Sequence, residues 1–108
     1  MPMTMNKLTF HTENRDGRTV VYIKGELDLE VAPQMRSVME PLVERTGQGL
    51  ILNLRDLKYI DSTGIGILIG IVKARHSLQA PFSVEEIPPT IRKLFDMTGI
   101  MHFLSVTN

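Results

Sequence analysis

The stretch that most restricts the fold is residues 49–76, "GLILNLRDLKYIDSTGIGILIGIVKARH". Its first six residues, "GLILNL", are almost continuously apolar, the pattern of a strand buried on both faces. Apolar residues recur with helical spacing from about residue 63 to 76, and a second strand candidate, "APFSVEEI" at 80–87, follows. A strand, a helix and a strand in succession are closed by parallel pairing through a right-handed crossover.

The flanks extend the pattern. "KLTFHTE" (7–13) and "RTVVYIKG" (18–25) read as strands joined by the turn "NRDG", where Asp16-Gly17 suits positive φ. Met35, Val38, Met39, Leu42 and Val43 fall at i, i+3, i+4, i+7 and i+8 of an amphipathic helix. Pro33 suits its first turn, Pro41 predicts a kink, and Thr46-Gly47 predicts its stop. "PPTIRKLFDMTGI" (88–100) predicts a short helix burying Ile91, Leu94 and Phe95 and ending at Gly99. "MHFLSV" reads as a last edge strand. The expected order is β-β-α-β-α-β-α-β. It implies one α/β domain over residues 1–108, with a mixed sheet of four to five strands and amphipathic helices packed on it.

Composition excludes several classes. Lys+Arg and Asp+Glu both number 12, so no cationic excess serves nonspecific nucleic-acid binding. The absence of cysteine removes disulfides and thiolate zinc sites. "MPMTMNKLTF" lacks a signal-peptide core, and the most apolar stretch, 65–72, falls far short of the roughly 20 residues of a spanning helix. A soluble, cytoplasmic domain with no membrane and no direct nucleic-acid partner is expected.

Asp61-Ser62-Thr63-Gly64 stands where the strand gives way to the helix, and four chemistries compete for it. Asp61 or Ser62 can cap the helix, but a cap does not explain a second hydroxyl or the poor helix formers Gly64 and Gly66. A nucleophile elbow needs a leading glycine, and Ile60 stands there instead. Nor is a base at hand: His11 and His102 lie near the termini, and His76 falls roughly 20 Å down the same helix. Gly64, Gly66 and Gly70 miss the dinucleotide spacing by one residue, and no Walker lysine is present. Finally, Ser62 can accept a phosphate at an exposed corner. The added charge of about −1.5 to −2 is attracted by the helix N-terminus, by about 0.3–1 kcal/mol, and repelled by Asp61, so the fold survives and a docked partner feels the change.

Helical positions place Ile65, Leu68, Ile69 and Val72 toward the sheet. Ile67 and Ile71 fall away from that cluster, beside Gly66, Gly70 and Ala74. Two readings stay open for this strip: a flat surface for a partner helix, or burial under another element of the same domain.

"GELDLEVAPQMR", "LILNLRDLKYIDSTGIGILIG" and "IRKLFDMTGI" resemble the bacterial anti-sigma factor antagonists of the STAS domain class, in particular those of general-stress and sporulation regulation. The likeness covers about residues 7–100. It implies a STAS-like fold and a partner switch. The unphosphorylated antagonist binds an anti-sigma factor that is also a serine/threonine kinase, and so frees the sigma factor. The kinase then phosphorylates the serine after the motif's Asp, here Ser62, with Thr63 the rival acceptor, and a PP2C-type phosphatase resets it. Asp28 in the "GELD" loop matches a partner-facing position, and Thr63, Gly64 and Gly66 match the helix start at the contact. Asp61, Ser62 and Ile67 complete the expected surface. Such a domain is a kinase substrate and binder, not an enzyme, with no cofactor or metal. One departure is "QAPF" (79–82), where relatives usually carry a glycine pair. A scaffold protein of the same class within a signalling assembly is the alternative reading.

The seven Met read as core and start-region residues, the three scattered His give no metal constellation, and Glu85-Glu86 reads as a solvated strand end.

Overall fold

The structure, a computed structural model, describes residues 7–107. Strands β1 (Leu8–Arg15) and β2 (Arg18–Leu27) form the expected hairpin. Its two-residue turn holds Asp16 and Gly17 at φ 51° and 80°, the left-handed pair that matches strand twist. β2 then pairs in parallel with β3 (Gly49–Asn53) through Arg18–Tyr22. β3 pairs with β5 (Phe82–Glu85), and β5 with β6 (Val106–Thr107), both in parallel. The path β1-β2-β3-β5-β6 is the predicted mixed sheet, antiparallel only at its first pair.

A further strand, β4 (Leu57–Ile60), lies outside that path; a strand was expected to end at the Asp61 corner, but not as one separate from β3. It pairs in parallel with Gly25–Leu27, further along β2 than β3, after a loop in which Gly25 N–H donates to the Asp56 carbonyl at 3.0 Å. The register shifts between Gly25 and Glu26. Gly25 has φ 114°, and a Cβ there would lie 1.9 Å from the Lys7 carbonyl oxygen. Only glycine lets β2 bend at this point with the Lys7 backbone held against it.

Helices α1 (Ala32–Val43), α2 (Ser62–Ser77) and α3 (Pro89–Thr98) bury residues in one core with Val21, Ile23, Leu50, Leu52 and Val84. α1 is preceded by a 3-10 turn, Leu29–Val31. It carries Pro41 in its last turn and stops at Val43, before the expected Thr46-Gly47. α3 buries Ile91 and Phe95 and ends on Gly99 at φ 78°, the left-handed C-terminal stop expected of glycine. The turn at "QAPF" begins from Gln79 at φ 53°.

α2 departs from expectation in its orientation. Its buried arc is Gly64, Ile65, Ile67, Leu68, Ile71 and Arg75, whereas Ile69 and Val72 are half-buried flanks. Ile67 and Ile71 are 8% and 6% exposed and share with Met39 and Val43 the lining of the groove between α1 and α2. The strip expected to be either open or covered is therefore covered at its isoleucines by α1, while Gly66 and Gly70 remain exposed along the groove.

On the other face of the sheet, Val20 and Ile51 are also buried. Arg15 reaches from β1 to Glu85 on β5 at 3.0 Å and to the Tyr22 hydroxyl at 3.0 Å, and Asn53 donates to Glu85 at 2.8 Å. Glu85 is 7% exposed, which corrects the expectation of a solvated strand end at that residue, while Glu86 is exposed as expected. Burial pushes its carboxyl up, but the bonds from Arg15 and Asn53 outweigh it and hold the group below its ordinary value.

Candidate functional site: a strand-to-helix corner

β2 and β4 run parallel, so their carboxyl ends reach the same edge of the sheet, the place where α/β folds gather their functional loops. Ile60 is buried, and the chain turns at Asp61, whose backbone is extended (φ −105°, ψ −175°). Asp61 Oδ1 accepts from Gly64 N–H at 3.0 Å and caps α2. Its Oδ2 accepts from Leu29 N–H at 3.2 Å. One carboxylate thus joins the helix start to the loop after β2.

The helix can begin so close to β2 because Gly64 has no side chain. A Cβ there would lie 2.7 Å from Ile60 Cγ1 and 2.8 Å from the Leu27 carbonyl oxygen. Ser62, the first helical residue, is exposed and Thr63 is half-buried.

The neighbouring loop is held by Asp28. Its Oδ1 accepts from Glu30 N–H at 3.1 Å and Val31 N–H at 3.4 Å, and its Oδ2 pairs with Lys7. The hydrogen bond from the Lys7 ammonium, supported by those two backbone donors, keeps the Asp28 carboxyl below its ordinary value. Lys7 also reaches Glu30 at 3.2 Å. Between these anchors Leu29 is 69% exposed.

The corner therefore brings Asp28, Asp61, Ser62 and Thr63 together. Gly66, one turn further on, is exposed, and a Cβ there would meet nothing within 4 Å. Two expected surface residues are placed elsewhere. Gly64 is buried against Leu27 and Ile60, so it lets the corner close rather than facing outward. Ile67 lies against α1, because α2 packs on the sheet and on α1 at once. Leu29 and Tyr59, 49% exposed, were not predicted as surface residues. An apolar residue between Asp28 and Glu30 was the available sign of the first. His76 is exposed in the last turn of α2, far from Ser62. No group of three or more His, Asp or Glu is placed to hold a metal ion among the described residues. What the corner offers chemically is an accessible hydroxyl beside a carboxylate and a helix N-terminus.

No helix among the described residues is long and apolar enough to cross a membrane. The STAS domain family model matches residues 9–108. The anti-sigma-B factor antagonist of Bacillus subtilis (strain 168) is 33% identical over 87 residues, which are 81% of this chain and 79% of that protein. Among solved structures, an anti-sigma factor antagonist from Mycobacterium paratuberculosis has a TM-score of 0.83 at 24% identity, over 92% of this chain and 84% of its own. The Bacillus cell fate determinant SpoIIAA in its phosphorylated form has a TM-score of 0.69 at 22% identity, over 93% of this chain and 92% of its own. These structural matches establish the shared fold. With the family model spanning the sheet, all three helices and the corner, the chain belongs to the STAS domain family, in the company of the anti-sigma factor antagonists.

Proposed function

We propose that this chain is an anti-sigma factor antagonist switched by phosphorylation of Ser62. Its unphosphorylated form binds an anti-sigma factor that is also a serine/threonine kinase, and frees the sigma factor. Transfer of the γ-phosphoryl group of ATP to the Ser62 hydroxyl ends the binding, and a PP2C-type phosphatase hydrolyses the phosphate to restore it. In this reading the chain is substrate and binder, carries out no turnover of its own, and acts in the cytoplasm.

The observation that carries the reading is the division of labour between Asp61 and Ser62. Asp61 supplies the helix cap, so the exposed Ser62 hydroxyl is left for modification. A phosphate there adds about −1.5 to −2 charges and leaves the Asp61–Gly64 cap in place. Asp28, Thr63 and Gly66 extend the proposed contact surface on either side of Ser62. The name of the Bacillus subtilis relative and the existence of SpoIIAA in a phosphorylated form support the same mechanism.

The direct test is to incubate the protein with the anti-sigma factor that co-purifies with it and ATP, and to map the phosphate by peptide mass spectrometry. The expected result is one phosphate on Ser62, abolished in Ser62→Ala. Phosphate on Thr63, or none at all, contradicts the assignment.

A further inference from the structure

The loop that carries Leu29 and the residue proposed to take the phosphate share a single carboxylate. Asp61 Oδ1 is bound to Gly64 N–H inside the first turn of α2, and Oδ2 is bound to Leu29 N–H across the corner. The Asp28 side chain caps the 3-10 turn through the amides of Glu30 and Val31, but does not hold that of Leu29. The Leu29 amide therefore depends on Asp61, and its side chain is the most exposed apolar group of the corner.

We propose that Asp61 couples the charge on Ser62 to the Leu29 loop, so that phosphorylation withdraws an apolar contact as well as adding a charge. The proposal rests on Ser62 as the acceptor and concerns how that site is regulated. Ser62 follows Asp61 directly, with Cα atoms about 3.8 Å apart, so the charge of a phosphoryl group on Ser62 acts on the Asp61 carboxylate at short range. The free N–H groups of the first turn attract the phosphate, and the like charge repels Asp61. Of its two side-chain bonds, the one to Gly64 is part of the helix cap and partly buried, at 3.0 Å; the one to Leu29 is exposed, at 3.2 Å. The exposed bond yields first. Leu29 then loses its fixed position while Asp28, still paired with Lys7, keeps the rest of the turn in place. Asp61 acts here as a positioning residue.

The test uses the protein alone. Phosphoserine is placed at position 62 by genetic encoding, and the Leu29 amide is followed in the proton–nitrogen spectrum. Asp61→Ser supplies the reference for a broken bond, because serine still caps a helix but is too short to reach Leu29. In the phosphoserine protein the Leu29 resonance is expected to move to the Asp61→Ser position, with the sheet amides unmoved; in Ser62→Ala it is expected to stay at the wild-type position. A Leu29 resonance that stays at the wild-type position in the phosphoserine protein overturns the coupling, and so does an equal movement in Ser62→Ala. No kinase takes part, so either outcome is independent of whether Ser62 is the residue a kinase modifies.

Discussion

At the scale of single residues, the two glycines at the start of α2 do opposite jobs. Gly64 is buried, and a methyl group there would meet the Ile60 side chain and the Leu27 backbone well inside contact distance. Gly66 faces open space. Gly64→Ala is therefore expected to destabilise the fold by about 1–3 kcal/mol, as overpacking does. Gly66→Ala is expected to stabilise it by about 0.5–1 kcal/mol through helix propensity, while weakening partner binding if Gly66 lies in the contact. Chemical denaturation of the two variants checks the first pair of outcomes; a destabilised Gly66→Ala would contradict the packing described for α2. The sequence shows two glycines in a poor place for glycine, and nothing in it separates the one that packs from the one that is exposed. That distinction depends on Leu27, which reaches the corner from a different strand.

At the scale of elements, the far end of α2 is tied down by a buried cation. Arg75 is fully buried, and its guanidinium donates to the carbonyls of Val43 and Gln48 at 2.8 Å, Pro81 at 2.9 Å and Arg45 at 3.2 Å. It thus joins the end of α1 and the loops before β3 and β5 to α2. Burial alone pushes its pKa down, and the ring of carbonyls supplies the compensating contact. Arg75→Leu removes this donor from the carbonyls of Val43 and Gln48, while Pro81 keeps Leu50 N–H and Arg45 keeps Gln48 N–H, and is expected to cost about 3 kcal/mol. Lysine should not rescue it, because one ammonium cannot span the four acceptors. A urea midpoint for Arg75→Leu equal to wild type would contradict this.

Much of the element plan was legible because it rests on local signals: the Asp16-Gly17 turn, the spacing of Met35 and Met39, the Asp61 cap, the Gly99 stop. The rest depends on distant partners. β4 shows a buried-exposed-exposed-buried pattern without strand alternation, since it pairs only with the bent end of β2. α2 is apolar on almost every side, so residue spacing could not say which part faces the sheet and which faces α1. Glu85 reads as a surface charge until Arg15, seventy residues earlier, is found against it.

At the scale of the whole molecule, helices cover one face of the sheet and a polar network covers the other, with the corner at the edge where β2 and β4 end. Two carboxylates are held below their ordinary values: Asp28 by Lys7, and Glu85, against its burial, by Arg15 and Asn53. A lowered pKa in the folded state gives stability that is present above the unfolded value, about 4, and is lost as the pH falls through the folded value. Stability is thus expected to be level in these groups from neutral pH to about 5 and to decline below about 4. Arg15→Met should weaken that acid dependence while lowering stability at neutral pH; urea midpoints across the pH range that keep the wild-type acid slope in the variant would contradict it.

The central claim is that charge at one exposed hydroxyl controls docking without disturbing the fold. The most direct measurement is the affinity of the proposed anti-sigma kinase partner for wild type, Ser62→Ala and Ser62→Asp, with the melting temperature of each. The expected result is that alanine binds like the unmodified protein, aspartate binds at least about tenfold more weakly, roughly 1.4 kcal/mol, and all three melt alike. Equal affinities across the series, or an aspartate variant that loses binding only because it unfolds, would contradict it.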